Sequence, residues 1–391
     1  MSTSEPPLRV TWLGHGAERT GPPIYLLRIL AGLTDHHRIE PSVVLLDDGP
    51  LLDDFRAVAP THVLRSSSPG GPRRAVAAGL SRLGADRAAG RTVASGGAVD
   101  TRPDVVVVNT AGSVRALEGL AGRPPRLVSH VHELATGLDY WLAPEARRRV
   151  LHGSDEIWVV ADAVGTHLTE VYGVDPRHLR THRGVLPPDA TAPDGTEGAE
   201  HRAHLGVGPD DVLVGASGTL DWRKAPDHLL EVAVRATRTA RSRLHFVWVG
   251  GSSSSPWAEA LRTGARRAGL VDRITLLPEE QRPDRWFCAL DLFLLTSRED
   301  AYPLVCLEAA AAGVPLLMFD SGGAPELVRD GGGVVVTYPD VGALAAEVAG
   351  LADDPSTRAE LGQMARAAAG AHTVEAALPS LVADLRRVAG R

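Results

Sequence analysis

Val212-Leu-Val-Gly-Ala-Ser-Gly-Thr-Leu-Asp-Trp-Arg-Lys-Ala-Pro-Asp227 decides the fold, because three kinds of local pattern meet in it. Val212–Ser217 is apolar on both faces, as a strand buried inside a parallel sheet must be. A glycine-led polar loop follows, and an amphipathic stretch opens at Pro226, a good first residue for a helix. The loop holds Lys224. Of 41 Lys and Arg side chains, one is this lysine and 40 are arginine. A compact ammonium on a strand-to-helix loop can approach phosphate oxygens where a planar guanidinium fits differently.

The same alternation extends in both directions. Upstream, short valine-rich runs predict strands at Leu8–Leu13, Ser42–Leu46, Asp104–Val108, Arg126–His130 and Glu156–Val160. Helical patterns lie between them at Pro22–Leu33, Arg73–Ala89, Ser113–Ala121, Ala143–Leu151 and Val164–Tyr172. Around and beyond Val212–Ala216, further strands are expected at Leu244–Val249, Ile274–Leu277, Leu292–Thr296 and Leu316–Phe319. Strands and helices that alternate in two sets mean an α/β chain with two doubly wound, Rossmann-like domains. The expected arrangement has the two facing each other across a cleft lined by the carboxyl ends of both sheets. Leu186–Glu200 is rich in Pro, Gly and acid and reads as a connection. The expected division is therefore 1–187, a linker at 188–204, a second domain at 205–370, and a C-terminal helix at 371–391 returning to the first domain. Ser66–Asp100, dominated by Ala, Gly, Arg and Ser, is expected to be a mobile helix-loop.

Composition narrows the function classes. A net charge of -7 and a pI near 6.1 do not suggest nucleic-acid binding. Met1-Ser-Thr-Ser-Glu-Pro-Pro7 lacks the basic-then-apolar design of a signal peptide, and no apolar run approaches the ~20 residues of a membrane span. A cytoplasmic protein is expected. Arg147-Arg148-Arg149 reads as a solvated helix face and leaves peripheral membrane contact open. Cys288 and Cys306 are not spaced as metal ligands, so free thiols are expected. Asp47-Asp48, Asp53-Asp54 and Asp353-Asp354 read as turns or helix ends, and no metal is expected.

A second informative stretch is Thr296-Ser-Arg-Glu-Asp-Ala-Tyr-Pro-Leu-Val-Cys-Leu-Glu-Ala-Ala-Ala-Ala-Gly-Val-Pro315. A strand should end at Thr296 and a helix begin at Pro303, leaving the N–H groups of Leu304 and Val305 free at the positive end of the helix dipole. That is an anion site of diphosphate size. Asp300 precedes it, and Glu308 within the helix could accept two hydrogen bonds from a ribose diol. Taken singly, Asp300 also reads as a helix cap and Glu308 as a solvated side chain.

The run Ser297–Pro315 resembles the signature of the retaining glycosyltransferases of the GT-B fold called family four, or glycosyl transferases group 1. In that signature two acids lie eight positions apart before an Ala-rich helix and Gly-x-Pro; here they are Asp300 and Glu308. Gly218–Asp227 resembles the family's phosphate loop, with Lys224 at the lysine position, and Gly322-Gly-Ala-Pro-Glu326 its Gly-Gly-x-x-Glu turn. Gly14–Gly21, Val131-His-Glu133 and Asp155–Ala161 match upstream segments in the expected order. The resemblance implies that Lys224, with the Leu304 and Val305 amides, neutralises the diphosphate of a sugar nucleotide, and that Glu308 holds its ribose. Asp300 and the backbone of Gly322 and Gly323 would meet the donor sugar, His132 would lie beside the transferred sugar, and Gly21 would admit the phosphates. Family members carry an arginine five or six residues before the lysine, where this chain has Thr219 and Gly218; Arg223 is the available substitute.

The implied reaction transfers a sugar, with retention, from a nucleoside-diphosphate sugar (a UDP-sugar is the expected donor) to an acceptor hydroxyl or amine. No cofactor is expected beyond that co-substrate. The acceptor is expected to be a small molecule or glycan, and an Ala-, Gly- and Arg-heavy composition suggests a bacterial natural product or cell-surface glycan precursor. Three other readings share the fold: an epimerase, a phosphorylase, and a non-catalytic sugar-nucleotide binder. A dinucleotide oxidoreductase needs a Gly-x-Gly-x-x-Gly spacing that Gly14–Gly21 lacks.

Overall fold

The computed structural model describes residues 6–33, 37–65, 102–140, 142–187, 195–279 and 284–391. The chain separates into two compact units, Met1–His182 with Ala377–Arg391, and Arg183–Ala376.

The first unit is built on a parallel sheet of β1 (Leu8–Gly14), β2 (Ile39–Asp47), β3 (Thr61–Arg65), β4 (Val105–Asn109), β5 (Leu127–Val131), β6 (Glu156–Val159) and β7 (Leu179–Thr181). Their order is β3-β2-β1-β4-β5-β6-β7. It reverses direction between β1 and β4, where Val10 faces Val105 and Leu13 faces Val108. All five residues of β4 and of β5 are buried, which explains their mostly apolar character; Asn109, Ser129 and His130 are the polar exceptions.

The second unit repeats the plan with β8 (Val212–Ser217), β9 (Leu244–Val249), β10 (Ile274–Leu277), β11 (Leu292–Leu295), β12 (Leu316–Phe319) and β13 (Gly333–Val336), ordered β10-β9-β8-β11-β12-β13. Alternate side chains serve opposite faces, as the two-residue strand period requires. Val212, Val214, Phe246 and Trp248 pack against Leu229, Val232 and Ala233 of helix Pro226–Thr239 and against Leu344 and Val348 of helix Val341–Ala352. Leu213, Val247 and Val249 point the other way, onto Trp286 and Ala289.

Several expectations require correction. Ser113–Ala121 is not α-helical: a 3-10 helix occupies Ala111–Gly119, and Thr110, at φ 89°, accepts the Gly112 N–H on its hydroxyl. The two units divide between His182 and Arg183, and the second half of the stretch read as a linker is helix Gly195–His204. Arg202 of that helix donates to Asp291 Oδ2 at 2.7 Å and to the Asp211 carbonyl at 2.6 Å, which ties it to the second unit. The expected Ser66–Asp100 loop, with its Arg73–Ala89 helix, lies entirely outside the described residues.

Candidate active site

β8 and β11 are neighbours at the point where the second sheet reverses its order, and the loops leaving both are where such sheets receive ligands. Gly218 opens the first loop at φ +140°, a conformation that L side chains rarely adopt. Its N–H donates to the Val249 carbonyl and its own carbonyl accepts from Trp248 Nε1, each at 3.0 Å. Asp221 turns the loop by accepting the Lys224 N–H at 2.9 Å, and Thr219 donates its hydroxyl to the same carboxylate at 2.8 Å. Ala225, left-handed at φ 54° and fully buried, starts helix Pro226–Thr239.

The loop after β11 is stapled to this one. Thr296 Oγ1 donates to the carbonyls of Lys224 and Ala225, 3.1 Å from each. Arg298 donates its backbone N–H to Arg223 O at 2.8 Å and its guanidinium to Trp222 O and, through two nitrogens, to Asp227. The junction of the loops is an ion pair. Lys224 Nζ donates to Asp300 Oδ2 at 2.6 Å, with the two side chains only 10% and 8% exposed. Ser297 Oγ donates to the same oxygen at 3.1 Å, and Arg223 lies 3.4 Å from Oδ1. Burial opposes ionisation of Asp300, but the Lys224 and Arg223 charges and the two hydrogen bonds outweigh it and hold the carboxyl below its ordinary value.

Asp300 is also a backbone junction. Its N–H donates to Ser321 O, its carbonyl accepts from Gly323, and it forms a parallel bridge with Gly322, itself at φ +146°. Asp300 caps no helix. The helix spans Leu304–Ala311, with Pro303 as its N-cap at ψ 115°, so the proline stands one residue outside the position expected from sequence. No side chain caps this end, and although the Cys306 N–H donates to the Pro303 carbonyl at 3.1 Å, the Leu304 and Val305 amides are left without an intrahelical acceptor. Glu308 sits half-buried in the next turn. Glu326, last residue of the glycine-glycine turn, accepts from Arg183 Nη2 at 2.8 Å.

Lys224, Arg223, Asp300, Gly322 and Gly323 are thus brought together, while Thr219 spends its hydroxyl inside its own loop. Thr296, Ser297 and Arg298 were not singled out from sequence, although a polar triplet directly after an apolar strand was the available signal.

Gly21 and His132 belong to the first unit. Gly21 is exposed at the start of helix Gly21–Gly32, and a Cβ there would meet nothing within 4 Å. That helix carries Tyr25, whose ring stands edge-on to His130 and His132 at 5.0 and 5.3 Å. The His132 N–H donates to Glu133 Oε2 at 2.8 Å, and the same carboxylate accepts the Ala111 N–H at 3.1 Å. Burial, reinforced by His15, pushes His132 down to about 3, so its imidazole is neutral. Its Nε2 is buried with no hydrogen-bond partner among the described residues.

Among the described residues no helix is long and apolar enough to cross a membrane. Comparison with known proteins places these features in context. Residues 198–368 match the family of glycosyl transferases group 1. The D-inositol 3-phosphate glycosyltransferase of Nocardia farcinica is 33% identical over 297 residues, 72% of this chain and 62% of that protein. D-inositol 3-phosphate glycosyltransferase 2 of Catenulispora acidiphila is 31% identical over 56% of this chain and 52% of its own length. The chain therefore spans between half and two thirds of these curated relatives. Among solved structures, Anabaena HepE in complex with UDP and glucose superposes with a TM-score of 0.76 at 19% identity, over 97% of this chain and 100% of that one. Sucrose-phosphate synthase from Thermosynechococcus elongatus gives 0.73 at 19% identity, over 98% and 99%. With two parallel Rossmann-like sheets and these superpositions, the chain has the GT-B fold, and its residues 198–368 match the glycosyl transferases group 1 family.

Proposed function

We propose that this protein is a glycosyltransferase that moves a sugar, with retention at the anomeric carbon, from a nucleoside-diphosphate sugar to an acceptor hydroxyl or amine. The observation that carries the reading is Lys224, anchored between the loops after β8 and β11, with Asp300 leading four residues later into an uncapped helix start. The hard step in such a transfer is departure of the nucleotide diphosphate. Lys224, Arg223 and the Leu304 and Val305 amides supply the charge and donors that stabilise it, and fixed donors of this kind are a strong catalytic lever. No further cofactor or metal enters this proposal. Glu308 is assigned the ribose hydroxyls, and the backbone at Gly322 and Gly323 the donor sugar.

His132 acts in this reading as a neutral hydrogen-bonding group beside the transferred sugar, which accords with its low proton affinity and its bare Nε2. The donor is proposed to be a UDP-sugar, because the Anabaena neighbour was solved with UDP-glucose. The acceptor is proposed to be a small bacterial metabolite or cell-surface glycan precursor, and the site of action the cytoplasm. A thermal-shift panel of nucleotides and sugar nucleotides is the direct test, followed by NMR of the product's anomeric configuration. Stabilisation by a nucleoside diphosphate and its sugar is expected. Failure of every member to bind, or an inverted product, refutes the proposal or its stereochemical part respectively.

A further inference from the structure

We propose that Asp300 is a resident counter-anion which the donor's diphosphate meets at Lys224, so that this carboxylate holds down affinity for the nucleotide and promotes release of the nucleotide product. The inference rests on the donor site proposed above and assigns Asp300 a task besides contact with the donor sugar. Oδ2 already accepts from both Lys224 Nζ at 2.6 Å and Ser297 Oγ at 3.1 Å, and Oδ1 faces Arg223 at 3.4 Å. Both cations nearest the anion site therefore rest on one carboxylate. The backbone of Asp300 is held on both sides by Ser321 and Gly323, so the carboxylate stays within side-chain reach of both cations.

A phosphate oxygen hydrogen-bonded to Nζ at about 2.8 Å can stand no farther than about 5.4 Å from Oδ2. At that separation in a half-buried site two negative charges repel appreciably. The consequence has an unusual sign: removing the charge of a residue inside the site should strengthen nucleotide binding.

The test is calorimetric titration of UDP, ADP, GDP and inorganic pyrophosphate into the full chain and its Asp300→Asn variant, which keeps the side chain's shape. Asp300→Ser serves as a second neutral variant should the first fail to fold, as checked by circular dichroism. Binding of the preferred diphosphate about tenfold tighter than to the wild type is expected, with pyrophosphate following the same trend. The inhibition constant of the nucleotide product should fall in parallel. Unchanged or weaker binding in a folded neutral variant overturns the counter-anion role while leaving the donor site intact. If neither wild type nor variants bind any of the four probes, the donor-site reading itself fails.

Discussion

Lys224 and Asp300 behave as one object, and each explains what the other cannot do alone. In the proposed reaction Lys224→Ala removes the ammonium from the departing diphosphate, and it is expected to cost ~2–4 kcal/mol in kcat/KM, by analogy with loss of one oxyanion donor. It also strands a buried carboxylate, which in buried pairs destabilises by roughly 3–5 kcal/mol. The two losses can be separated. Lys224→Met combined with Asp300→Asn should recover most of the melting temperature and none of the turnover; recovered turnover would show that the ammonium was only a structural partner. Lys224 stood out in the sequence because it was alone among 40 arginines. Asp300 was singled out as well, but the pairing was not, since the two lie 76 positions apart and meet because β8 and β11 are neighbours in the sheet. Spacing along the chain contains no trace of that adjacency. The task of the absent arginine is likewise not taken up by Thr219, whose hydroxyl is occupied by Asp221.

The loops that carry these groups depend on unusual backbone, and Gly218 is the clearest instance. A Cβ there would sit 3.0 Å from Lys224 Cε, on a residue at φ +140°. Gly218→Ala should therefore push the lysine from Asp300 and strain the turn by about 1–3 kcal/mol. Nucleoside diphosphate affinity measured by calorimetry is expected to fall by more than the melting temperature suggests. An alanine variant that binds like the wild type would mean that the loop relaxes without moving Nζ. Glycine after an apolar run was readable as a loop, but its φ and its distance to Lys224 were not. Strands were readable where both faces are buried: β4, β5, β8, β9 and β11 are buried from end to end and mostly apolar. The missed strands β3, β7 and β13 all lie at sheet edges. Thr61–Arg65 and Leu179–Thr181 carry polar residues that an edge can leave toward water, so their patterns resemble loops.

In the first unit, burial gathers histidines that must stay neutral, and this sets how the molecule responds to acid. The C-terminal helix Val374–Ala389 closes this cluster from Ala377 onward. Arg387 lies 2.6 Å from buried Glu156, and His182 Nε2 lies 3.1 Å from Asp384. Burial lowers the proton affinity of His15, His130, His132 and His182, although Asp384 partly opposes it at His182. The unfolded chain, with ordinary values near 6.5, then binds more protons than the folded one. The stabilisation is complete above pH 6.5 and is lost as pH falls toward the lowered folded values, by up to ~1.4 kcal/mol per pH unit for each group. Glu133 runs the other way, since burial raises its carboxyl: the folded state then holds the extra proton from its ordinary value of 4.5 upward, which partly offsets the histidines. In the second unit burial lowers His245 and His372 too, and the Asp211 carboxylate, 3.3 Å from His245 Nε2, partly opposes it there. Between pH 6.5 and 5, hydrogen exchange followed by mass spectrometry should therefore show β4, β5 and β6 losing protection faster than β8, β9 and β11. His132→Asn should flatten that loss by removing one of the four groups. Equal slopes in the two units, or a variant as acid-sensitive as the wild type, would mean that these imidazoles take up their protons without unfolding the sheet around them.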